Sequence, residues 1–233
     1  MRRSFYIGLI AVMTIFFIMP ASAQIFGIGV KGGLNFSTLS GDFVDVNGDF
    51  GTDDVFSTQT GFVVGVSFNT SLFPLLSLQP EILYSEKGAK FDVLFDDFDI
   101  PGVGDIDASI DLAYLEVPVL LKAGLPIPGF SPFLYAGPSF AFNLSAETSY
   151  DIDVTVNGMR VSESGSEDIS DEIKSFDVGI VLGGGVEFGL PTLKLHAELR
   201  YTMGLSNVYD LNNDNDDLDV NNRVLSLMVG VTF

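Results

Sequence analysis

A strict two-residue alternation of apolar and polar side chains is the feature that most constrains how this chain can fold. It is clearest between Leu193 and Leu205, where odd positions carry Leu, Ala, Tyr and Met and even positions carry Lys, His, Glu, Arg, Thr and Gly. Successive side chains of a β-strand point to opposite faces, so this segment predicts a strand with one apolar and one polar face. The last such segment ends the chain on Phe233.

Eight segments follow this rule, and helical spacing of apolar residues is nowhere sustained. Each is about as long as the 9 to 11 residues that a tilted membrane strand requires. The pattern therefore predicts an all-β chain that crosses a membrane with strands. The segments lie near residues 25–36, 61–68, 76–87, 114–122, 134–144, 176–188, 193–205 and 225–233.

The connectors between these segments alternate strictly between short and long. An even-stranded up-and-down barrel with short turns at one end and long loops at the other requires this order. The sequence therefore predicts an eight-stranded antiparallel transmembrane β-barrel, with both termini in the periplasm and the long loops extracellular. The short connectors lie near 69–74, 123–131 and 189–191, and the long ones span 37–58, 89–107, 147–173 and 207–221.

The start of the chain has the composition of a secretory signal. Arg2 and Arg3 precede an apolar run from Phe5 to Met19, and Pro20-Ala21-Ser22-Ala23 follows with small residues of the A-x-A type. A charged region, an apolar region and a small-residue site in this order predict a signal peptide over 1–23 and a barrel domain over 24–233. We therefore expect an exported protein.

Charge is divided unevenly between the connectors and the strands. The chain has 31 acidic residues against 11 Lys and Arg, a formal net charge of −20, and 24 of the acids fall in the four long connectors beside only two bases, Lys90 and Arg160. The rest of the barrel domain has seven acids and seven bases, mostly on the polar faces. A Lys or Arg facing lipid at mid-depth would cost about 2 to 4 kcal/mol. We therefore predict that these charges fill and plug the lumen as an ion-pair network.

The acidic balance and the absence of cysteine exclude several classes of function. Nucleic-acid binding depends on Lys and Arg neutralising phosphates, so we expect no nucleic-acid partner. Without Cys the chain has no disulfide, thiolate zinc site, iron–sulfur cluster or thiol nucleophile.

Several motifs together resemble the outer-membrane β-barrel proteins of Bacteroidota, the PorT-like group. The resemblance covers nearly the whole barrel domain and implies a fold and an outer-membrane location. The motifs are Gly29-Val30-Lys31-Gly32-Gly33-Leu34-Asn35-Phe36, Leu78-Gln79-Pro80-Glu81, Tyr114-Leu115-Glu116-Val117-Pro118 with Leu120-Leu121-Lys122, Tyr135-Ala136-Gly137-Pro138-Ser139, and the closing strand.

Candidate sites for chemistry are few. The glycines of Gly27-x-Gly29-x-x-Gly32 lie within a predicted strand, whereas a dinucleotide site needs a strand before them and a helix after them. His196 is the only histidine, and Glu198 shares its face, but a short turn precedes it and places it near the periplasmic end. We therefore expect a lumenal histidine bonded within the ion-pair network and no catalytic or cofactor site.

Two acidic stretches, Asp45–Asp49 and Asp210–Asn222, are rich in oxygen ligands but lack the spaced Gly and terminal Glu of an EF-hand loop. For them we expect solvated surface, bridged through divalent cations to lipopolysaccharide, rather than an ordered metal site. Aromatic residues near strand ends should form girdles at the two membrane interfaces. These are Phe26, Phe36, Phe68, Tyr84, Phe188, Tyr201 and Phe233.

These observations predict a non-enzymatic outer-membrane barrel with a structural or surface-interaction role. Its expected partners are outer-membrane lipid, lipopolysaccharide, divalent cations at the loops, and secretion or surface proteins. Two alternatives stay open on sequence alone. One is an outer-membrane enzyme acting on lipid A or a peptide through His196. The other is a soluble lipocalin-like lipid-binding barrel, in which the apolar faces would point inward and the charged faces outward.

Overall fold

The computed structural model of the protein describes most of the predicted barrel domain. The predicted signal peptide at 1–23 lies outside the described residues. The described residues are 26–41, 43–44, 50–51, 57–93, 106–125, 127–156, 159–170, 173–206 and 220–233.

The described residues form eleven strands and no helix that is long and apolar enough to span a bilayer. In chain order they are β1 (Phe26–Gly41), β2 (Phe43–Val44), β3 (Phe50–Gly51), β4 (Ser57–Phe73), β5 (Leu76–Val93), β6 (Ile106–Gly124), β7 (Ser131–Val156), β8 (Met159–Asp168), β9 (Phe176–Gly189), β10 (Lys194–Gly204) and β11 (Val220–Thr232).

Eight of these strands close into a barrel in which every neighbouring pair is antiparallel. The ring runs β1, β4, β5, β6, β7, β9, β10, β11 and returns to β1. Closure pairs Gly29 with Thr232 at one end and Gly41 with Val220 at the other, so the first and last strands are aligned along their length. A closed ring leaves no unpaired sheet edge, which is the condition for a β-structure to stand in lipid. The predicted eight-stranded fold is confirmed.

The two faces of the strands are oriented as the sequence predicts. On β10, His196, Glu198 and Arg200 are buried inside the ring, while Leu199 between them is 52% exposed on the outside. On β11, Leu227 and Val229 are 54% and 62% exposed. Apolar side chains cover the outer wall on every barrel strand with described side chains, and a surface of this extent needs lipid rather than water around it. The soluble lipocalin-like alternative is therefore wrong, because it requires the opposite orientation.

Aromatic side chains lie on the outer wall near both ends of the barrel. At the long-connector end the rings of Phe62 and Tyr84 lie 5.4 Å apart, and at the short-turn end those of Phe130 and Phe188 lie 5.8 Å apart. Phe233, the last residue, is largely exposed and lies at the short-turn end, as Phe130 and Phe188 do. Amphipathic and aromatic rings at these heights are typical of the interface girdles of membrane barrels.

One predicted connector is largely a hairpin. The sequence predicts a loop at 147–173, but β7 continues to Val156, and β8 returns beside it from Met159 with Glu147 opposite Asp168. β5 and β6 also extend toward each other, to Val93 and from Ile106. Six of the eight acids of this region therefore lie on strands. Thr148, Tyr150, Ile152 and Val154 alternate with polar residues, and this pattern indicates a strand.

These extended strands continue the barrel wall beyond its apolar band. Below we call them the outer extension, which comprises 88–93 of β5, 106–111 of β6, 147–156 of β7 and 159–168 of β8. Gly88 introduces it with φ of +152°, and a Cβ there would lie on the carbonyl oxygen of Ile110. Only glycine fits this close approach of two strands.

The orientation of the wall predicts how a charge on it affects stability. Leu199→Arg places a guanidinium at the middle of the lipid-facing band and should lower the free energy of unfolding from lipid vesicles by about 2 to 4 kcal/mol. Leu205→Arg, beyond the end of β10, should cost less than about 1 kcal/mol. Urea titration of both variants in the same vesicles measures the difference, and equal losses would contradict the assigned depth.

Candidate functional site

The lumen of the barrel is crossed at its centre by four charged side chains that pair with one another. Lys31 Nζ lies 2.8 Å from Oε1 of Glu81 and 2.8 Å from Oε1 of Glu198. Arg200 Nη2 lies 2.7 Å from Oε2 of Glu81 and 3.3 Å from Oε1 of Glu198. These residues come from β1, β5 and β10, and each is at most 3% exposed. Two cations and two anions make a neutral group, which below we call the central quartet.

Two further residues complete the hydrogen bonding of the quartet. Gln79 Nε2 donates to Oε1 of Glu81 at 2.6 Å, and Arg200 Nε donates to the hydroxyl of Tyr135 at 3.1 Å. The guanidinium of Arg200 also lies 5.2 Å from the centre of the Tyr135 ring. A buried ion pair stabilises only when its remaining donors and acceptors are satisfied in this way.

Glycines on the inner wall make room for these long side chains. A Cβ on Gly183 of β9 would lie 2.5 Å from the Tyr135 ring, so the ring packs directly on the glycine backbone. The role of this glycine is therefore to leave space for Tyr135 beneath Arg200.

Ion pairs also lie on both sides of the central quartet. Lys87 Nζ lies 2.5 Å from Oε1 of Glu116, and Lys122 Nζ lies 2.9 Å from Oε1 of Glu187. Lys122 also lies 3.9 Å from the centre of the Phe133 ring. The predicted ion-pair filling of the lumen is thus present along its length.

Among the described residues, little free space lies between the ion pairs around the central quartet. A cavity of only about 10 Å³ lies among Lys87, Glu116 and Arg200, and this is at the lower limit for one water molecule. An eight-stranded barrel has an interior just wide enough for its own side chains, which explains the tight filling.

The two ends of the lumen differ. At the outer end, Ile173 folds inward from the segment between β8 and β9 and packs with Ile110, Leu112, Tyr114 and Ala146 in a buried apolar cluster. At the short-turn end the lumen opens into a vestibule of about 450 Å³, whose lining includes Lys122 and Glu187. Within the described residues the lumen is therefore closed at the long-connector end and indented at the short-turn end.

His196 is placed differently from the expectation. It is 7% exposed inside the lumen, as predicted, but neither ring nitrogen has a hydrogen-bond partner among the described residues. Glu198, its neighbour on the same face, is bound by Lys31 and Arg200 instead. The ring lies over Gly230, where a Cβ would be 2.6 Å from Nε2. His196 is thus packed in the lumen without joining the network.

The motifs considered for ligand binding give no site in the described part of the chain. Gly27, Gly29 and Gly32 lie within β1, and the next described element is the short strand β2 rather than a helix. Among the described residues, no three His, Asp or Glu side chains gather into a metal-binding group. The acidic stretch at 45–49 and residues 210–219 of the second stretch lie outside the described residues.

The sequence pattern identified the lumenal residues but not their pairing. Gln79 and Tyr135 occupy polar positions of their alternating segments, yet nothing in a single strand indicates that they meet Glu81 and Arg200. Those contacts depend on the register between strands that are far apart in the chain. Asp177 is a further lumenal acid, with Oδ2 accepting from Asn222 Nδ2 at 3.3 Å.

Removing one member of the central quartet should destabilise the barrel, because the remaining buried charges are then no longer fully paired. Arg200→Met leaves Glu81 and Glu198 sharing one cation and should lower the free energy of unfolding by about 3 to 5 kcal/mol. Arg223→Met makes the same substitution at an exposed position on β11 and should change it by less than about 0.5 kcal/mol. Denaturant unfolding of both variants tests this, and a loss below 1 kcal/mol for Arg200→Met would show that the quartet does not stabilise the barrel.

Comparison with protein families gives one match, to the outer membrane protein beta-barrel domain over residues 22–210. No curated protein matches the sequence.

Several solved structures share the general architecture at low sequence identity. The outer membrane protein OprG from Pseudomonas aeruginosa is 13% identical, with 90% of this chain and 97% of that chain covered and a TM-score of 0.47. Ail, the attachment invasion locus protein of Yersinia pestis, is 14% identical over 89% of this chain and 98% of its own, with a TM-score of 0.39. The outer membrane protease OmpT from Escherichia coli is 10% identical over 91% and 97%, with a TM-score of 0.42.

Proposed function

Because this chain belongs to the outer membrane protein beta-barrel domain family, we propose that it is a non-enzymatic barrel of the bacterial outer membrane whose lumen is plugged and whose outer parts make surface contacts. The observation that carries this proposal is the central quartet. Four fully paired charges fill the cross-section where a pore would need water and where a substrate would need access. A lumen built in this way holds the wall together rather than conducting.

The absence of an enzymatic role is supported by the state of His196. A catalytic histidine acts as a base when a second group orients its ring and a substrate can reach it. His196 is buried and has no hydrogen-bond partner among the described residues. The Glu198 carboxylate that shares its face is engaged by two cations. This arrangement favours a structural residue over an enzyme acting on lipid A or a peptide.

The proposed orientation places the short turns and both termini in the periplasm and the outer extension outside the cell. It is supported by the alternation of short and long connectors, which is the rule for membrane barrels. Within this orientation the apolar cluster at Ile173 closes the external mouth. The vestibule at the other end then faces the periplasm.

The proposed partners are the lipids of the outer membrane and lipopolysaccharide, with divalent cations bridging acidic groups to its phosphates, and secretion or surface proteins. The acidic balance of the chain, −20 overall, favours contacts mediated by cations. The motifs quoted above favour the PorT-like group of Bacteroidota as the narrower family.

Electrical recording tests the plugged lumen directly. Protein reconstituted in a planar bilayer should give no stable conductance steps above the lipid background, because the filled cross-section leaves no continuous water path. A wide porin in the same bilayer serves as the positive control. Stable steps whose ion selectivity changes in Glu81→Gln would show an open path through the quartet and would overturn the proposal.

A further inference from the structure

The outward face of the outer extension carries rows of small polar side chains that cross four strands. Register places Lys90 of β5 opposite Ser109 of β6, Ser109 opposite Ser149 of β7, and Ser149 opposite Ser166 of β8. The next row pairs Asp151 with Ser164. Below we call these six residues the serine face.

Alternation along the strands shows that the serine face points away from the barrel axis. Ile110 and Ala146 are buried in the inner apolar cluster, and the neighbouring Ser109 and Glu147 therefore point outward. The exposure of these residues is consistent with this side of the sheet, since Ser109 and Ser149 are partly exposed and the other four are exposed.

Small side chains leave a groove on this face. A cavity of about 620 Å³ lies against the outer extension, and six of its nine lining residues are the six of the serine face. Among the described residues, the hydroxyl groups of Ser149, Ser164 and Ser166 make no side-chain hydrogen bond. A serine hydroxyl both donates and accepts, and a carboxylate accepts, so the groove matches a ligand rich in hydroxyl groups.

The groove also continues a surface that lipid already covers. On β7 the outward side chains are apolar up to Leu144, which is 55% exposed, and polar from Glu147 onward. Whatever lipid chains cover Leu144 must therefore place their headgroups against the outer extension. The groove therefore borders the layer that those headgroups occupy.

The height of the groove selects the kind of headgroup. At 3.3 Å per residue and a tilt of about 40°, Ser149 lies roughly 13 Å beyond Leu144 along the membrane normal. The polar layer of an ordinary bilayer is only about 5 to 7 Å thick on each side. A phospholipid headgroup ends near Glu147, whereas a headgroup extended by several sugar units reaches the serine row.

We propose that the serine face binds the saccharide headgroup of a glycolipid of the outer leaflet, with sugar hydroxyls bonded to Ser109, Ser149, Ser164, Ser166 and Asp151. This inference rests on the proposed orientation of the barrel, because it needs the outer extension to lie in the leaflet that contains glycolipid. It adds two things to the proposed function: the serine face as the binding surface, and the saccharide headgroup as the part of the lipid that contacts it.

Binding in detergent micelles tests the groove independently of orientation. Folded protein is titrated with lipopolysaccharide that carries its core sugars, with lipid A that lacks them, and with phosphatidylglycerol. The wild-type protein should bind the first at least tenfold more tightly than the other two. Equal affinity for all three, or for lipopolysaccharide and lipid A, would overturn the proposal because the sugars would then contribute nothing.

Substitution locates the binding surface. Ser149→Leu combined with Ser166→Leu fills the groove and should reduce the affinity for lipopolysaccharide at least tenfold. Ser71→Leu makes the same change at an exposed position at the opposite end of the barrel and should leave it unchanged. Heat-dependent gel migration verifies that each variant is folded, and Ser164→Leu serves in place of the double variant if that one fails to fold. Unchanged affinity in a folded groove variant would also overturn the proposal.

A labelling experiment separates this inference from the proposed orientation. The chain has no cysteine, so Glu163→Cys is a unique site for a membrane-impermeant thiol reagent on intact cells. Glu163 is exposed on β8 and points away from the serine face, so a bound saccharide leaves it accessible. If intact cells are labelled but the micelle assay shows no preference for the lipid with sugars, the orientation is supported and the saccharide site is overturned. Absence of labelling on intact cells that becomes complete after lysis would overturn the orientation, and with it the assignment of the groove to the outer leaflet.

Discussion

Lipid around the barrel offers no hydrogen bonds, and the rest of the structure follows from this constraint. Backbone groups at membrane depth must pair within the protein, so the strands close into a ring and β1 meets β11 along thirteen residue pairs. The same constraint forbids charges on the outer wall, where each would cost about 2 to 4 kcal/mol. The seven acids and seven bases that the barrel domain carries outside the four predicted long connectors can therefore be kept only on the inner face or near the water at the strand ends.

Placing charges inside a narrow barrel creates a second constraint, which the central quartet satisfies. Lys31, Glu81, Glu198 and Arg200 approach from three strands and form four contacts between 2.7 and 3.3 Å. Buried ions of this kind stabilise a fold only when all partners are present, because a single unpaired charge retains its full desolvation cost. The quartet therefore closes the lumen and at the same time fixes the relative positions of β1, β5 and β10.

The parts of the fold that follow from local pattern were predictable, and the parts that depend on contacts between distant strands were not. The alternation in β10 predicts that Leu199 faces lipid and that Arg200 faces the lumen. The connector at 147–173 was wrong because its many acidic residues obscured an alternation of Thr148, Tyr150, Ile152 and Val154 that continues β7. His196 was placed correctly inside the lumen, but its lack of hydrogen-bond partners depends on how Lys31 and Arg200 engage Glu198. Residues of the serine face are unremarkable individually and become a surface only through the register of four strands.

The orientation of the strand faces is tested most directly by comparing the environments of two neighbouring residues on one strand. The chain has no tryptophan, so Leu227→Trp on the outer wall and Met228→Trp in the lumen are single fluorescent reporters one residue apart. In vesicles of lipids with brominated acyl chains, the account predicts strong quenching of the Trp at 227 and weak quenching of the Trp at 228. Equal quenching, or stronger quenching at 228, would contradict the central claim that the apolar faces of the strands contact lipid and the charged faces line the lumen.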